Sequence, residues 1–189
     1  MSHDPTMLPA HLPAPVDDGA TDHLPGSTLP QLALLATAGG AVDLRHLSTE
    51  RQLVVFAYPR TGRPGVDPPT GWDEIPGARG CTPQACAFRD LAAHFEALGA
   101  QVFGLSTQDP DYQREAATRL HLPYSLLSDV DLRLTHALDL PTFEVDGMRL
   151  LRRFTMLIRG GVVERVLYPV FPPDQAAAQA LSAVQAMPR

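Results

Sequence analysis

The stretch Gly80-Cys81-Thr82-Pro83-Gln84-Ala85-Cys86-Ala87-Phe88-Arg89-Asp90 carries both cysteines of the 189-residue chain. Pro83 has no backbone N–H to give and is tolerated only in a first helical turn, so a helix begins with Cys81 at or just before its N-terminus. Downstream the helix is expected to run to Leu98. Ala85, Phe88, Leu91, Ala92, Phe95 and Leu98 share one face, Arg89, Asp90 and Glu96 turn away, and Gly99 follows as a C-terminal cap. Upstream, Leu53-Val54-Val55-Phe56-Ala57-Tyr58 is an unbroken apolar run of strand length, as expected of a strand buried on both faces. Pro59 ends it. Residues 60–80, rich in proline and glycine, then form one long ordered loop, and a loop of that length inside a compact domain is usually functional. Strand, loop and cysteine-bearing helix start together set an α/β organisation.

Working outward, residues 32–36 and 40–44 read as two short strands around a Gly39-Gly40 turn. Beyond the helix come a strand at 101–106, a helix at 111–120, a short strand at Leu126-Leu127 and a helix at 132–138. A hairpin follows with Asp146-Gly147 as its turn and 149–158 as its second strand. Gly160-Gly161 turns the chain into a strand at 162–167, and Asp174 is expected to cap a last Ala-rich helix reaching about Ala186. Residues 1–28, rich in Pro and Asp near their start, lack a hydrophobic period and read as a mobile extension with His3, His11 and His23 exposed. The domain proper is then 29–189, a mixed sheet flanked by helices.

The apolar fraction of 44% and charged fraction of 19% are those of a globular chain with a core of its own. A net charge of −6 argues against a nucleic-acid or anionic-membrane surface. No apolar run is long enough to span a bilayer. There is no basic segment followed by an apolar one at the N-terminus, so the cytoplasm is the expected compartment.

In a reducing compartment a pair of thiols is more often catalytic, redox-sensing or incidental than a permanent staple. A cysteine at a helix start meets unpaired N–H groups and the positive end of the helix dipole, which favour the thiolate that attacks a peroxide O–O bond. Two helical residues five apart have Cα atoms about 8.6 Å apart, whereas a disulfide needs less than about 7 Å. Cys81 and Cys86 can therefore bond only if the first turn unwinds. Cys86 lies off the apolar stripe with Arg89 and Asp90, which weakens its reading as core filler. The spacing is wrong for a Cys-x-x-Cys oxidoreductase, and no second pair of ligands suits zinc. The residues alone leave an incidental pair open.

The run from Gly80 to Asp90 resembles the active-site helix of peroxiredoxin Q, or bacterioferritin comigratory protein. The likeness extends to Phe56-Ala57-Tyr58-Pro59, Gly104-Leu105-Ser106, residues 122–129 and Arg153-Phe154-Thr155-Met156-Leu157-Ile158, blocks that occur in the family's order. It implies a thioredoxin-like fold and reduction of hydrogen peroxide and organic hydroperoxides. It further implies recycling by thioredoxin or a similar dithiol, no metal or organic cofactor, and a monomer or weak homodimer. By the resemblance Cys81 is the peroxidatic cysteine, Cys86 the resolving cysteine of the same subunit, and Arg153 the arginine of the strand facing the site. Arg152, its neighbour, must then point the other way.

The sequence departs from the family pattern Pro-x-x-x-Thr/Ser-x-x-Cys. Pro59 and Cys81 lie 22 positions apart instead of seven, an insertion of about 15 residues that includes Trp72. Ala78 and Arg63 stand where the hydroxyl belongs, which leaves two readings open: Thr61, Thr70 or Thr82 folds back to replace it, or the site binds peroxide differently. The inserted loop is expected to cover the pocket and tune substrate choice. Asp109 and Gln108, after a strand end, read as helix caps; residues 168–174 as a packed turn or a docking surface; His46, His94, His121 and His136 as structural. Besides a peroxidase, a redox sensor with slow turnover and a thioredoxin-fold binding module with an incidental cysteine pair remain open.

Overall fold

The computed structural model of the chain describes residues 7–9 and 11–188. His3 lies outside them. The chain opens with β1 (Ala33–Ala36) and β2 (Ala41–Asp43), a short α1 (Leu44–Leu47) and β3 (Gln52–Ala57). After the long loop, with its single 3₁₀ turn at Trp72–Glu74, come α2 (Cys81–Asp90), α3 (Ala92–Ala97), β4 (Ala100–Ser106), α4 (Pro110–Arg119), β5 (Leu126–Ser128) and α5 (Arg133–Leu138). The chain closes with β6 (Thr142–Val145), β7 (Met148–Leu151), β8 (Phe154–Arg159), β9 (Val162–Leu167) and α6 (Ala176–Gln185).

Seven strands form a mixed sheet in the order β2-β1-β5-β4-β3-β8-β9, and β6 pairs with β7 as a separate ribbon. β3 runs parallel to β4 and antiparallel to β8. Its unbroken apolar run is explained by two cores. Leu53, Val55 and Ala57 face Leu34, Leu134 and Leu138, while Val54, Phe56 and Tyr58 face the helical layer of Phe88, Ala176 and Ala180. The Phe56 and Phe88 rings stack with centroids 4.2 Å apart, which fixes α2 across the end of β3. This is the expected α/β fold of thioredoxin-like type.

Three expectations about the elements change. The helix expected to run to Leu98 is two helices, because Leu91 leaves helical dihedrals at φ −102°, ψ 6°. Phe95 N still donates to Leu91 O at 3.2 Å, so the apolar face continues across the break. The strand expected at 149–158 is broken at Arg152-Arg153, where the chain passes from the ribbon to the main sheet. Asp174 caps nothing: it lies in a 3₁₀ turn ahead of α6, whose N-cap is Gln175.

The described part of the N-terminal stretch is packed rather than loose. Leu24 is fully buried, Gly26 N donates to Val163 O at 2.7 Å, and Asp18 pairs with Arg152 at 2.6 Å. Composition alone misses this, since the partners lie far along the chain. His11 and His23 are exposed as expected, with His23 Nε2 3.0 Å from Leu138 O. Among the described residues no helix is long and apolar enough to cross a membrane, and no cluster of His, Cys, Asp or Glu could hold a metal.

Candidate active site

Cys81 is the first residue of α2, and Gly80 before it holds φ 101°. A Cβ at Gly80 would stand 2.8 Å from Leu8 Cδ2 and closer still to Pro173 Cγ. Both the left-handed backbone and the close packing demand glycine there. The helix start is thus held tightly, and Cys81 itself is 3% exposed.

Two N–H donors converge on the sulfur. Arg153 Nη2 lies 3.2 Å and Arg60 N 3.4 Å from Cys81 Sγ, while the thiol itself donates to Ala78 O at 3.5 Å. The sheet register explains why donors so distant in sequence meet. Ala57 pairs with Phe154, so Arg153 is level with Tyr58, near the point where the chain leaves β3 toward Arg60. The break between β7 and β8 leaves Arg153 free of ladder geometry and able to turn inward.

Arg153 is 4% exposed, and its guanidinium is hydrogen-bonded on all three nitrogens. Nε reaches Gly77 O at 3.3 Å, Nη2 reaches Ala78 O at 3.2 Å and Arg79 O at 3.1 Å, and Nη1 donates to Gln84 Oε1. A planar fork of five donors is suited to this task. The side chain clips the end of the inserted loop to the start of α2, with the two N–H groups of Nη2 shared among Ala78 O, Arg79 O and the sulfur. Arg152 turns the other way, to Asp18 and to Tyr168 Oη at 3.1 Å.

Cys86 sits half-buried on the same helix, and both thiols are free. Burial pushes the Cys86 thiol up in pKa, and the Arg89 charge pulls it partly back. The structure therefore brings Cys81 and Arg153 together and holds Cys86 apart by one and a half helical turns.

A narrow cleft leads to Cys81, walled by the inserted loop through Arg60, Thr61, Val66 and Trp72 and by Tyr112 of α4. The guanidinium groups of Arg60 and Arg63 lie 4.5 and 4.0 Å from the Tyr112 ring centroid. Trp72 anchors the loop, packing with Ala78, Val145 and Leu150 against the β6–β7 ribbon. Of the candidate hydroxyls, Thr70 is exposed and its N–H is bound to Asp146 Oδ2 at 3.0 Å. Thr61 is fully buried, and both its N–H and its hydroxyl donate to Gln108 Oε1 at 3.0 and 3.1 Å. Thr82 is 1% exposed, lines the cleft, and its Oγ1 has no partner.

Two residues were read differently or missed from the sequence. Asp109 does cap α4, accepting from Asp111 N at 2.8 Å, but Gln108 holds Thr61 instead of capping. Gln84 was missed. It falls on the stripe of Cys81, Ala85 and Phe88, and a lone polar residue on an apolar stripe is the signal that would have marked it. Behind the site Gln113 Nε2 donates to Ser106 Oγ at 2.9 Å and Tyr58 Oη at 3.3 Å. Burial drives the Tyr58 hydroxyl far above its ordinary pKa.

Residues 24–182 match the Redoxin family. Over 86% of its length the chain is 32% identical to a chloroplastic peroxiredoxin Q of Oryza sativa subsp. japonica, of which it covers 67%. The chain belongs to the peroxiredoxin Q family. A second chloroplastic peroxiredoxin Q, from Gentiana triflora, is 32% identical over 85% of this chain and 66% of its own. The chain thus spans about two thirds of the length of these plant relatives. The crystal structure of peroxidoxin BcpB from Mycobacterium tuberculosis superposes with a TM-score of 0.69 at 27% identity, over 88% of this chain and 99% of that one. Peroxiredoxins are thiol-dependent peroxidases, and this chain is one of them.

Proposed function

We propose that Cys81 is the peroxidatic residue, Cys86 the resolving residue and Arg153 the group that receives the charge of the transition state. The carrying observation is the convergence of Arg153 Nη2 and Arg60 N on Cys81 Sγ at the end of a cleft. The Cys81 thiolate attacks the terminal oxygen of a hydroperoxide. An S–O bond forms as the O–O bond breaks, leaving a sulfenic acid and an alkoxide or hydroxide that takes up a proton. N–H donors already in place on the sulfur need no reorganisation as charge moves onto oxygen.

Cys86 then attacks the Cys81 sulfur, and the sulfenic oxygen leaves as water. Both cysteines are helical in α2, so this step unwinds the first turn and withdraws Leu8 and Pro173 from Gly80. A dithiol of the thioredoxin type reduces the disulfide by exchange. Hydrogen peroxide and organic hydroperoxides are the proposed substrates, with the inserted loop walling the cleft and selecting among them.

The reading is tested by peroxide consumption coupled to a thioredoxin system. Wild type turns over and Cys81→Ser does not; full activity in Cys81→Ser would overturn the assignment.

A further inference from the structure

Three arginines line the cleft that ends at Cys81, namely Arg60, Arg63 and Arg79, against a single carboxylate, Asp67. The whole chain carries a net charge of −6, so the sign is reversed locally at this site. Arg79 is paired with Asp73 at 3.0 Å. The other two are held in place without being neutralised. Both guanidinium groups rest on the Tyr112 ring, a contact that positions a cation and leaves its N–H edge open to an acceptor. Arg60 Nη1 donates to the Met148 sulfur at 3.6 Å, and among the described residues no carboxylate pairs with Arg60. Arg63 lies 3.4 Å from Glu115 Oε2, but both oxygens of that carboxylate already accept from Arg119. Arg63 Nε is buried without a hydrogen bond. A charged donor left unpaired in this way is satisfied by a ligand that brings an anionic acceptor.

Arg60 itself measures the distance from this charge to the sulfur. Its backbone N–H points at Cys81 Sγ at 3.4 Å, while its guanidinium lies at the Tyr112 ring. A substrate whose terminal oxygen meets the sulfur therefore reaches the arginine pair across the length of an arginine side chain. Val66, Pro68 and Trp72 make the wall in this part of the cleft apolar. We infer that Arg60 and Arg63 bind a carboxylate carried by the substrate, so that the cleft selects organic hydroperoxides with an acid group at the far end of a short linear chain. A planar guanidinium matches a planar carboxylate, and a cleft lined by one sign of charge concentrates the opposite sign. The assignment rests on the peroxidase reading above and adds a substrate class to it. In the step itself the sulfur–oxygen bond forms and the O–O bond breaks. Cys81 is left as the sulfenic acid, the departing alkoxide takes a proton from solvent, and the product is the corresponding hydroxy acid. The two arginines hold the carboxylate and are unchanged.

The test uses the full chain and two probes that differ chiefly in charge, δ-hydroperoxyvalerate and its methyl ester. Trp72, the single tryptophan, lines the cleft with Cys81, so its emission follows oxidation by each probe. The quantity read is the ratio of the acid rate to the ester rate, which a general loss of activity leaves fixed. Wild type is expected to react about tenfold faster with the acid, the worth of a charge-assisted hydrogen bond in a barrier. Arg63→Gln should lower the ratio several-fold, and the double variant Arg60→Gln with Arg63→Gln should bring the two rates together. Arg114→Gln removes the same charge from α4 outside the cleft, and its ratio should stay at the wild-type value. Equal rates with acid and ester in wild type, a wild-type ratio in the double variant, or an equal fall in Arg114→Gln would each overturn the carboxylate site. Wild type that is alkylated by iodoacetamide yet oxidised neither by hydrogen peroxide nor by either probe would overturn the peroxidase reading beneath it, a failure visible without any variant.

Discussion

Arg153 Nη2 and Cys81 Sγ stand 3.2 Å apart although 72 residues separate them in the chain. The same guanidinium holds Gln84 and the carbonyls of Gly77, Ala78 and Arg79. Charge and position are therefore joined in one side chain. Arg153→Met should slow sulfenic acid formation about a hundredfold, the usual loss when a transition-state donor is removed. Arg153→Lys should recover only part of this, since an ammonium cannot reproduce the fork. Rapid-mixing rates against peroxide concentration check both; a Lys variant at the wild-type rate would show that charge alone suffices.

Gly80 carries the helix start in a left-handed conformation with Leu8 and Pro173 against it. Gly80→Ala adds a backbone penalty of about 1–2 kcal/mol and overpacking of about 1–3 kcal/mol. Urea unfolding should report a loss near the sum, and peroxide reactivity should fall as Cys81 shifts. A stability loss below about 1 kcal/mol would mean that the contacts at Gly80 are loose.

Much of this arrangement was legible in the residues. The two-faced burial of β3 and the helix start at Cys81 follow from short-range pattern. The rest depends on partners remote in sequence. No local period reveals that Asp18 meets Arg152 and Tyr168, so 1–28 read as a mobile extension. The break at Arg152-Arg153 was hidden because Leu150, Leu151 and Phe154 keep an apolar strand pattern across it. Gln84 and Gln108 pair with a guanidinium and a threonine brought in by the fold, and a single glutamine carries no signal of its partner.

Tyr168, then Arg152, hold the Asp18 carboxyl below its ordinary pKa. A depressed carboxylate contributes stability that is complete above its unfolded value, near 3.9, and is lost as pH falls through the lower folded value. Below that window the N-terminal segment should release first. Limited proteolysis at falling pH should cleave within 7–30 before the domain core, and Asp18→Asn should show that cleavage already at neutral pH. Equal protection of Asp18→Asn and wild type would mean that Leu24 and the backbone bonds hold the segment alone.

One equivalent of peroxide should remove two hydrogens from wild type by intact mass, and leave Cys86→Ser with one added oxygen. The bond requires α2 to unwind, so the oxidised wild type should lose helical circular dichroism while the oxidised Cys86→Ser should not. Burial raises the Cys86 thiol pKa. Alkylation of Cys86 in Cys81→Ser should therefore rise with pH only above the ordinary thiol range near 8.5. Two-hydrogen loss without any change in helicity would refute the unwinding step.

The inserted loop is fastened at Trp72 and walls the cleft with Val66, so its effect on substrate choice can be separated from its effect on folding. Trp72→Ala should cost about 3–5 kcal/mol, as for other buried aromatics, and widen the cleft. Excising residues 62–76 removes the Val66 and Trp72 parts of the wall. Both changes should raise the rate with cumene hydroperoxide relative to hydrogen peroxide, because the small substrate passes the wall in any case while the bulky one does not. The informative quantity is that ratio: a general loss of activity lowers both rates and leaves it fixed, whereas removal of a steric wall moves it several-fold. An unchanged ratio in both variants would show that the loop supports Cys81 without choosing its substrate.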